Sequence, residues 1–207
     1  MASAKSKQGD RKSKAQPAKA AKPAKAKPAA QAKAKKPAKS AKAAPAKESG
    51  AKAGLAEGAK APSFSLTDQA GKTVTSASLA GAPYVVYFYP KDNTTGCTKE
   101  ACDFRDSFRG FGQKKARLLG VSPDSEASHA GFAKKYGLPF TLLADPDKVL
   151  AKAYGVWAKK LNYGREYMGI VRSTFVVDGK GVIQKAWRGV KVNGHVDAVL
   201  DAVRALS

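Results

Sequence analysis

The first 54 residues contain no Leu, Ile, Val, Phe, Tyr or Trp. A segment without such side chains buries too little apolar surface to offset the entropy of ordering its backbone. Residues 1–54 are therefore expected to be disordered, and any folded core must be built from residues 55–207. The overall hydrophobic fraction of 43% overstates that core, because alanine supplies the tail's share. What remains is about 150 residues, enough for one well-buried domain.

Charge divides at the same place. The tail carries 16 Lys and Arg against 2 acidic residues, so +14 of the chain's net +22 sits on it. Spaced positive charge on a flexible arm attracts polyanions through counterion release. Ala21–Lys25 (AKPAK), Lys36–Lys39 (KPAK) and Ala44–Lys47 (APAK) are imperfect repeats whose prolines interrupt any nascent helix. In composition the segment resembles linker-histone tails. Three roles stay open for it: a solubilising extension, an arm that associates with nucleic acid, or a membrane or targeting segment. The first thirty residues lack the apolar stretch of a signal peptide, and no run is long enough to span a membrane. The tail is rich in Lys, Ala and Pro rather than Arg and Ser, unlike a transit peptide. A cytoplasmic protein is expected, which the tail can bring to a nucleoid or nucleus. The two cysteines, Cys97 and Cys102, suit a reducing compartment and reactive thiols better than a disulfide scaffold.

Folded elements are legible from about Leu55. Phe64–Leu66 and Lys72–Val74 flank the Asp68–Gly71 turn as a short hairpin. Tyr84–Tyr89 (YVVYFY) is an unbroken β-branched and aromatic run, which predicts a strand buried on both faces and ended by Pro90. A loop, Lys91–Gly96, leads into a helix expected over Cys97–Phe111. Ala116–Ser122 and Phe140–Ala144 read as further central strands. Ser125–Tyr136 reads as a helix closed by Gly137, and Val149–Tyr154 as a short one before Gly155. Ser173–Val177 and Val182–Trp187 form a hairpin around Asp178–Gly181, and Val196–Leu206 is an amphipathic closing helix. This alternation predicts an α/β domain whose central mixed sheet is flanked by helices, in the element order of a thioredoxin-like fold.

The chemistry is concentrated in Tyr89–Asp106 (YPKDNTTGCTKEACDFRD). Cys97 follows a glycine and opens a helix, where unpaired N–H groups and the helix dipole favour an anion. A free thiol with a pKa of about 8.5 is only ~3% thiolate at pH 7. Full ionisation gains just about 30-fold, roughly 2 kcal/mol. Fast nucleophilic chemistry at such a thiol therefore needs donors aimed at the atoms on which charge builds. Thr94 can supply a hydroxyl, and a cation from a neighbouring strand the rest. The spacing is C-x4-C, not the C-x-x-C of thioredoxin-type reductases. A zinc site would have to draw on His129 and His195, and neither has ligand-like spacing. Both are expected to face solvent or cap helices. Trp157 and Trp187 are expected to pack in the core or a groove. Glu100 is expected to complement the helix dipole.

Pro90-x-x-x-Thr94-x-x-Cys97 resembles the P-x-x-x-T/S-x-x-C signature of peroxiredoxins, and Thr98–Cys102 is similar to the PrxQ or bacterioferritin comigratory subfamily. Phe140–Asp145 (FTLLAD), Tyr154–Trp157 (YGVW) and Arg172–Phe175 (RSTF) follow in that family's order, so the likeness covers about residues 55–207. It implies reduction of hydrogen peroxide and organic hydroperoxides without metal, haem or flavin. Cys97 would then be the peroxidatic cysteine. Thr94 would hydrogen-bond peroxide and thiolate, Pro90 would shield the pocket, and Arg172 would stabilise thiolate and transition state. Cys102 would resolve the Cys97 sulfenic acid as an intramolecular disulfide, with thioredoxin or a similar dithiol as reductant. The family commonly has proline where this chain has Thr95, a change that loosens the loop. In an intact helix, residues five apart have Cα atoms about 8.5 Å distant. A disulfide needs about 7 Å or less, so the first turns of the helix must unwind during the cycle. A monomer is expected, with both cysteines on one helix. Two other classes stay open: a nucleic-acid-associated protein with a vestigial peroxidase domain, and a redox sensor that oxidises partner thiols.

Overall fold

The computed structural model describes residues 55–162 and 165–206. The expectations of a disordered, polyanion-seeking tail over residues 1–54, and of a domain boundary at its end, fall outside the described residues.

The chain opens with a hairpin, β1 (Ser65–Asp68) and β2 (Thr73–Thr75), paired Leu66 to Val74. A 3-10 turn, Ser76–Leu79, capped by Thr75, leads into β3 (Tyr84–Phe88). Two helices follow, α1 (Thr95–Asp106) and α2 (Phe108–Gln113), then β4 (Arg117–Ser122), α3 (Glu126–Tyr136), β5 (Thr141–Ala144) and α4 (Val149–Ala153). A separate two-stranded ribbon, β6 (Trp157–Asn162) and β7 (Arg165–Ile170), precedes β8 (Ser173–Val177), β9 (Ile183–Arg188) and α5 (His195–Arg204). The seven-stranded sheet runs β2-β1-β5-β4-β3-β8-β9. β3, β4 and β5 are parallel, and β1 and β8 flank them antiparallel, so the sheet is mixed as expected.

The apolar run of β3 has a direct structural meaning. Val85 and Tyr87 point into one core with Phe104, Phe111, Phe132, Leu142 and Val199. Tyr84, Val86 and Phe88 point into a second core with Leu119, Leu143, Tyr154 and Phe175. A strand covered on both faces has no polar alternation to keep. At β4, Gly120 makes room for this packing: a Cβ there would sit 2.7 Å from Leu142 Cδ2 and 2.8 Å from Tyr87 Cζ.

Three expectations change. The helix expected over Cys97–Phe111 starts two residues earlier and breaks at Ser107, which ends α1 and begins α2. The break seats Gly110 against α5, where an added Cβ would fall 2.9 Å from Leu200 methyl carbons. His129 and His195 are buried rather than solvent-facing, at 0% and 6% exposure. Each repays desolvation with a hydrogen bond: His129 to Asp92 and the Leu143 carbonyl, His195 to the Thr174 hydroxyl at 2.8 Å. The ribbon β6–β7 is absent from the expectation, because its lysines and exposed Leu161 and Met168 blur any period-two alternation. Most other elements fall where expected, and their ends have local causes. Ser125 caps α3 by accepting from Ser128 N, and Gly137 ends it at φ +62°. Asp145 caps α4 through Val149 N and Ala151 N, and Trp187 packs against the core.

Gly120→Ala is expected to destabilise the domain by about 1–3 kcal/mol, since Tyr87 and Leu142 must both move. Gly131→Ala, in the exposed interior of α3 with open space at its Cβ position, should instead stabilise by about 0.5–1 kcal/mol. Urea unfolding of the two variants checks the opposite signs.

Candidate active site

The register between β3 and β8 builds the site. Phe88, the last residue of β3, pairs with Ser173, the first of β8. Arg172, one residue before Ser173, is thereby set beside the chain that leaves β3 through Tyr89 and Pro90. Two backbone bonds hold this stretch: Val171 N donates to the Val156 carbonyl, and Val190 N to the Arg172 carbonyl, at 2.8 and 3.0 Å. The loop after Pro90 turns into α1, whose third residue is Cys97.

Cys97 is 2% exposed. The Arg172 Nη2 donates to its Sγ at 3.2 Å, while Nη1 donates to Glu100 Oε2. Gly96 is small for this reason, as a Cβ there would lie 3.3 Å from Arg172 Nη2. The cation touches the sulfur from one side, and the first N–H groups of α1, which no side chain caps, lie at its helix end. Thr94 is the N-cap residue; its hydroxyl donates to the Lys91 carbonyl at 3.1 Å, and Thr98 N donates to its carbonyl at 2.8 Å. Pro90 is half-buried at the end of β3. Cys102 is half-buried on the same helix, and both thiols are free. The structure thus brings Cys97 and Arg172 into contact, places Thr94 and Pro90 on the loop before them, and keeps Cys102 apart along the helix.

Glu100 is a correction. It lies beyond the first turn of α1, is 0% exposed, and pairs with Arg172 rather than with the helix dipole. Burial pushes its carboxyl up to about 7, with Arg172 pulling the other way and Asp103 adding to the rise. Among the described residues its Oε1 is buried without a partner, as is the Tyr87 hydroxyl in the same core. Burial and then the Glu100 charge raise the Tyr87 phenol well above its ordinary value, so it stays neutral. Arg172 itself remains protonated: burial opposes its charge, and Glu100 and Cys97 outweigh that opposition.

A second polar cluster anchors the loop. Asp92, 5% exposed, accepts from Tyr89 OH at 2.8 Å and Ser128 Oγ at 2.7 Å, and lies 2.9 Å from His129 Nδ1. Its backbone N–H donates to Asp124 Oδ2 at 2.7 Å, which also accepts from Ser122 Oγ at 2.8 Å. His129 Nε2 faces the Leu143 carbonyl at 3.2 Å. Burial alone would raise the Asp92 carboxyl, but its bonds with His129, Ser128 and Tyr89 prevail and hold it below the usual range. Among the described residues no group of three or more His, Cys, Asp or Glu side chains is placed to hold a metal ion.

A model of the AhpC/TSA family matches residues 58–186. The chain belongs to that family. It is 49% identical to Peroxiredoxin Bcp of Bacillus subtilis over 150 residues, covering 72% of this chain and 96% of the relative. It is 43% identical to the chloroplastic Peroxiredoxin Q of Populus jackii over 153 residues, 72% of this chain and 68% of that one. Among solved structures it is similar to the Xanthomonas campestris bacterioferritin comigratory protein, studied for alkyl peroxide reduction. That match has a TM-score of 0.66 and 44% identity, and covers 69% of this chain and 90% of that one. A Xylella fastidiosa PrxQ matches at a TM-score of 0.70 with 36% identity, covering 74% of this chain and 98% of that one. The family and the thioredoxin-like fold are those the motif implied.

Within this peroxiredoxin frame, Thr95 occupies the first helical position of α1, where a proline presets the backbone. The Asp92 cluster holds the preceding loop by side-chain bonds instead. Sequence reading missed Asp92, His129 and Glu100 as site-forming residues. Their signal was faint: a charged residue inside an active-site motif reads equally well as exposed, and only burial tells the two apart.

Asp92→Asn is expected to cost about 3 kcal/mol by breaking a buried pair. Because the Asp92 carboxyl is depressed in the folded state, its contribution is complete above the unfolded value of about 3.9 and is lost as pH falls through the folded one. Acid unfolding should therefore show a shallower loss of stability in the variant than in the wild type.

Proposed function

We propose that this chain reduces hydrogen peroxide and organic hydroperoxides through a two-cysteine cycle. The observation that carries the reading is the Arg172 guanidinium 3.2 Å from the sulfur of a buried cysteine in the first turn of a helix. That arrangement puts fixed positive charge where a thiolate must be held and where charge develops as the O–O bond breaks.

In this reading the Cys97 thiolate attacks one peroxide oxygen. The S–O bond forms, the O–O bond breaks, and the departing alkoxide or hydroxide takes a proton to leave as alcohol or water. Thr94, at the helix N-cap, turns its hydroxyl from the Lys91 carbonyl to the peroxide, and Pro90 screens the pocket from water. The Cys102 thiolate then attacks the sulfur of the Cys97 sulfenic acid. Hydroxide leaves and takes up the proton that Cys102 gave up, so one water and one disulfide result. A thioredoxin or similar dithiol reduces that disulfide. Since α1 is intact with both thiols free, its first turns unwind before the bond can form. Both cysteines on one helix make a monomer sufficient for the cycle.

NADPH consumption with thioredoxin, thioredoxin reductase and peroxide tests the whole scheme. Cys97→Ser should abolish turnover, Cys102→Ser should abolish or strongly reduce it, and Arg172→Met should slow the peroxide step about 100-fold or more. Full turnover in Cys97→Ser would overturn the assignment.

The basic tail supports a second reading, that the enzyme is held near nucleic acid. Its +14 charge over residues 1–54 is ample for sequence-independent phosphate contacts. Mobility shift with duplex DNA should be steeply salt-dependent and vanish on deleting residues 1–54, with peroxidase turnover retained. Equal retardation of the truncated chain would refute it.

A further inference from the structure

Arg172 binds two residues of α1 at once. Its Nη2 holds Cys97 and its Nη1 holds Glu100, three residues on and therefore on the same helix face. The guanidinium thus staples the turn that has to unwind if Cys102 is to reach Cys97. Cys102 takes no part in the staple. Glu100 lies between the two cysteines, fully buried, with one carboxylate oxygen on Arg172 and the other without a partner among the described residues.

We propose that Glu100 is a positioning residue that latches α1 in its wound form, and that its release from Arg172 into solvent is part of the unwinding step. The proposal rests on the two-cysteine cycle above. Its logic follows the charge on each arm. With the thiolate present, Arg172 is held by Cys97 and Glu100 together. Oxidation turns the thiolate into a neutral sulfenic acid, which weakens the first arm and leaves Glu100 as the main hold on the helix. Peroxide therefore loosens the turn at the moment when Cys102 is needed.

The latch also carries a proton. In the wound helix burial keeps the carboxyl up at about 7, whereas in water a glutamate sits at about 4.3. Between those values the wound state binds a proton that the unwound state does not, so unwinding releases one and becomes easier as pH rises. Above about 7 both states are ionised and the effect levels off. The charged and titratable groups that act on this carboxyl are Arg172 from the β7–β8 connection, Tyr87 from β3 and Asp103 from α1 itself, while Cys97 shares Arg172 with it. His195 of α5 stands close enough to feel the Arg172 charge, and burial followed by that charge lowers it to about 4, so it is neutral across this range. Tyr87 is neutral too.

Amide hydrogen exchange of α1 in the reduced full-length protein, corrected for intrinsic exchange, reads the opening equilibrium directly. In the wild type, opening should rise up to about fortyfold between pH 5 and 7 and flatten beyond. Glu100→Gln, which keeps shape and a hydrogen bond to Arg172, should remove that rise; Glu100→Asp, which still titrates, should keep it. A flat wild-type profile, or an equal rise in Glu100→Gln, would overturn the latch. Mass spectrometry after one equivalent of peroxide reads the underlying cycle separately. The absence of a Cys97–Cys102 disulfide would remove the two-cysteine reading whatever the exchange profile shows, and its presence with a flat profile would remove the latch alone.

Discussion

One half-buried guanidinium organises the candidate site. Arg172 reaches Cys97 and Glu100, three positions apart on one helical face, and holds both at once. Removing one partner of such a pair is far more costly than the pair is stabilising, because the desolvated charge that remains has no water to turn to. The rest of the fold serves this contact. The β3–β8 register fixes where Arg172 stands, Gly96 gives it room, and the apolar faces of β3 keep water from both sides.

The loop and the helix on either side of Cys97 are held differently. Upstream, the Asp92 cluster ties the loop to β4, α3 and β5 through side-chain and backbone bonds that are nearly all internally satisfied. Satisfied polar networks in a core are rigid, since each member is lost at full desolvation cost. Downstream, α1 is held by a pair in which, among the described residues, one carboxylate oxygen and a nearby phenol are buried without partners. This contact is less completely satisfied than the Asp92 cluster.

Legibility in the sequence followed how local each signal was. The strands β3, β4 and β5, the helix α3 and the closing helix were all visible, because unbroken apolar runs, amphipathic patterns and a closing glycine are properties of neighbouring residues. The ribbon β6–β7 was not: it pairs only with itself and carries lysines and exposed apolar side chains on the same strands. The helix break at Ser107 was missed as well, since it answers to α5 more than ninety positions away.

The sequence by itself determined the family, and it marked out the short segment on which the candidate site is built. Proline, threonine, glycine and cysteine at fixed short spacings specify a strand end, a loop and a helix start, and those are set by dihedral preferences and unpaired N–H groups within a few residues. Only the tertiary structure decided which charges are buried. Glu100, Asp92 and His129 are ordinary polar letters until β3, β4, β8 and α3 close over them, and Arg172 meets Cys97 across 75 positions of chain. Desolvation and electrostatic pairing depend on what surrounds a group in space. They are therefore written in the packing, and no local pattern carries them.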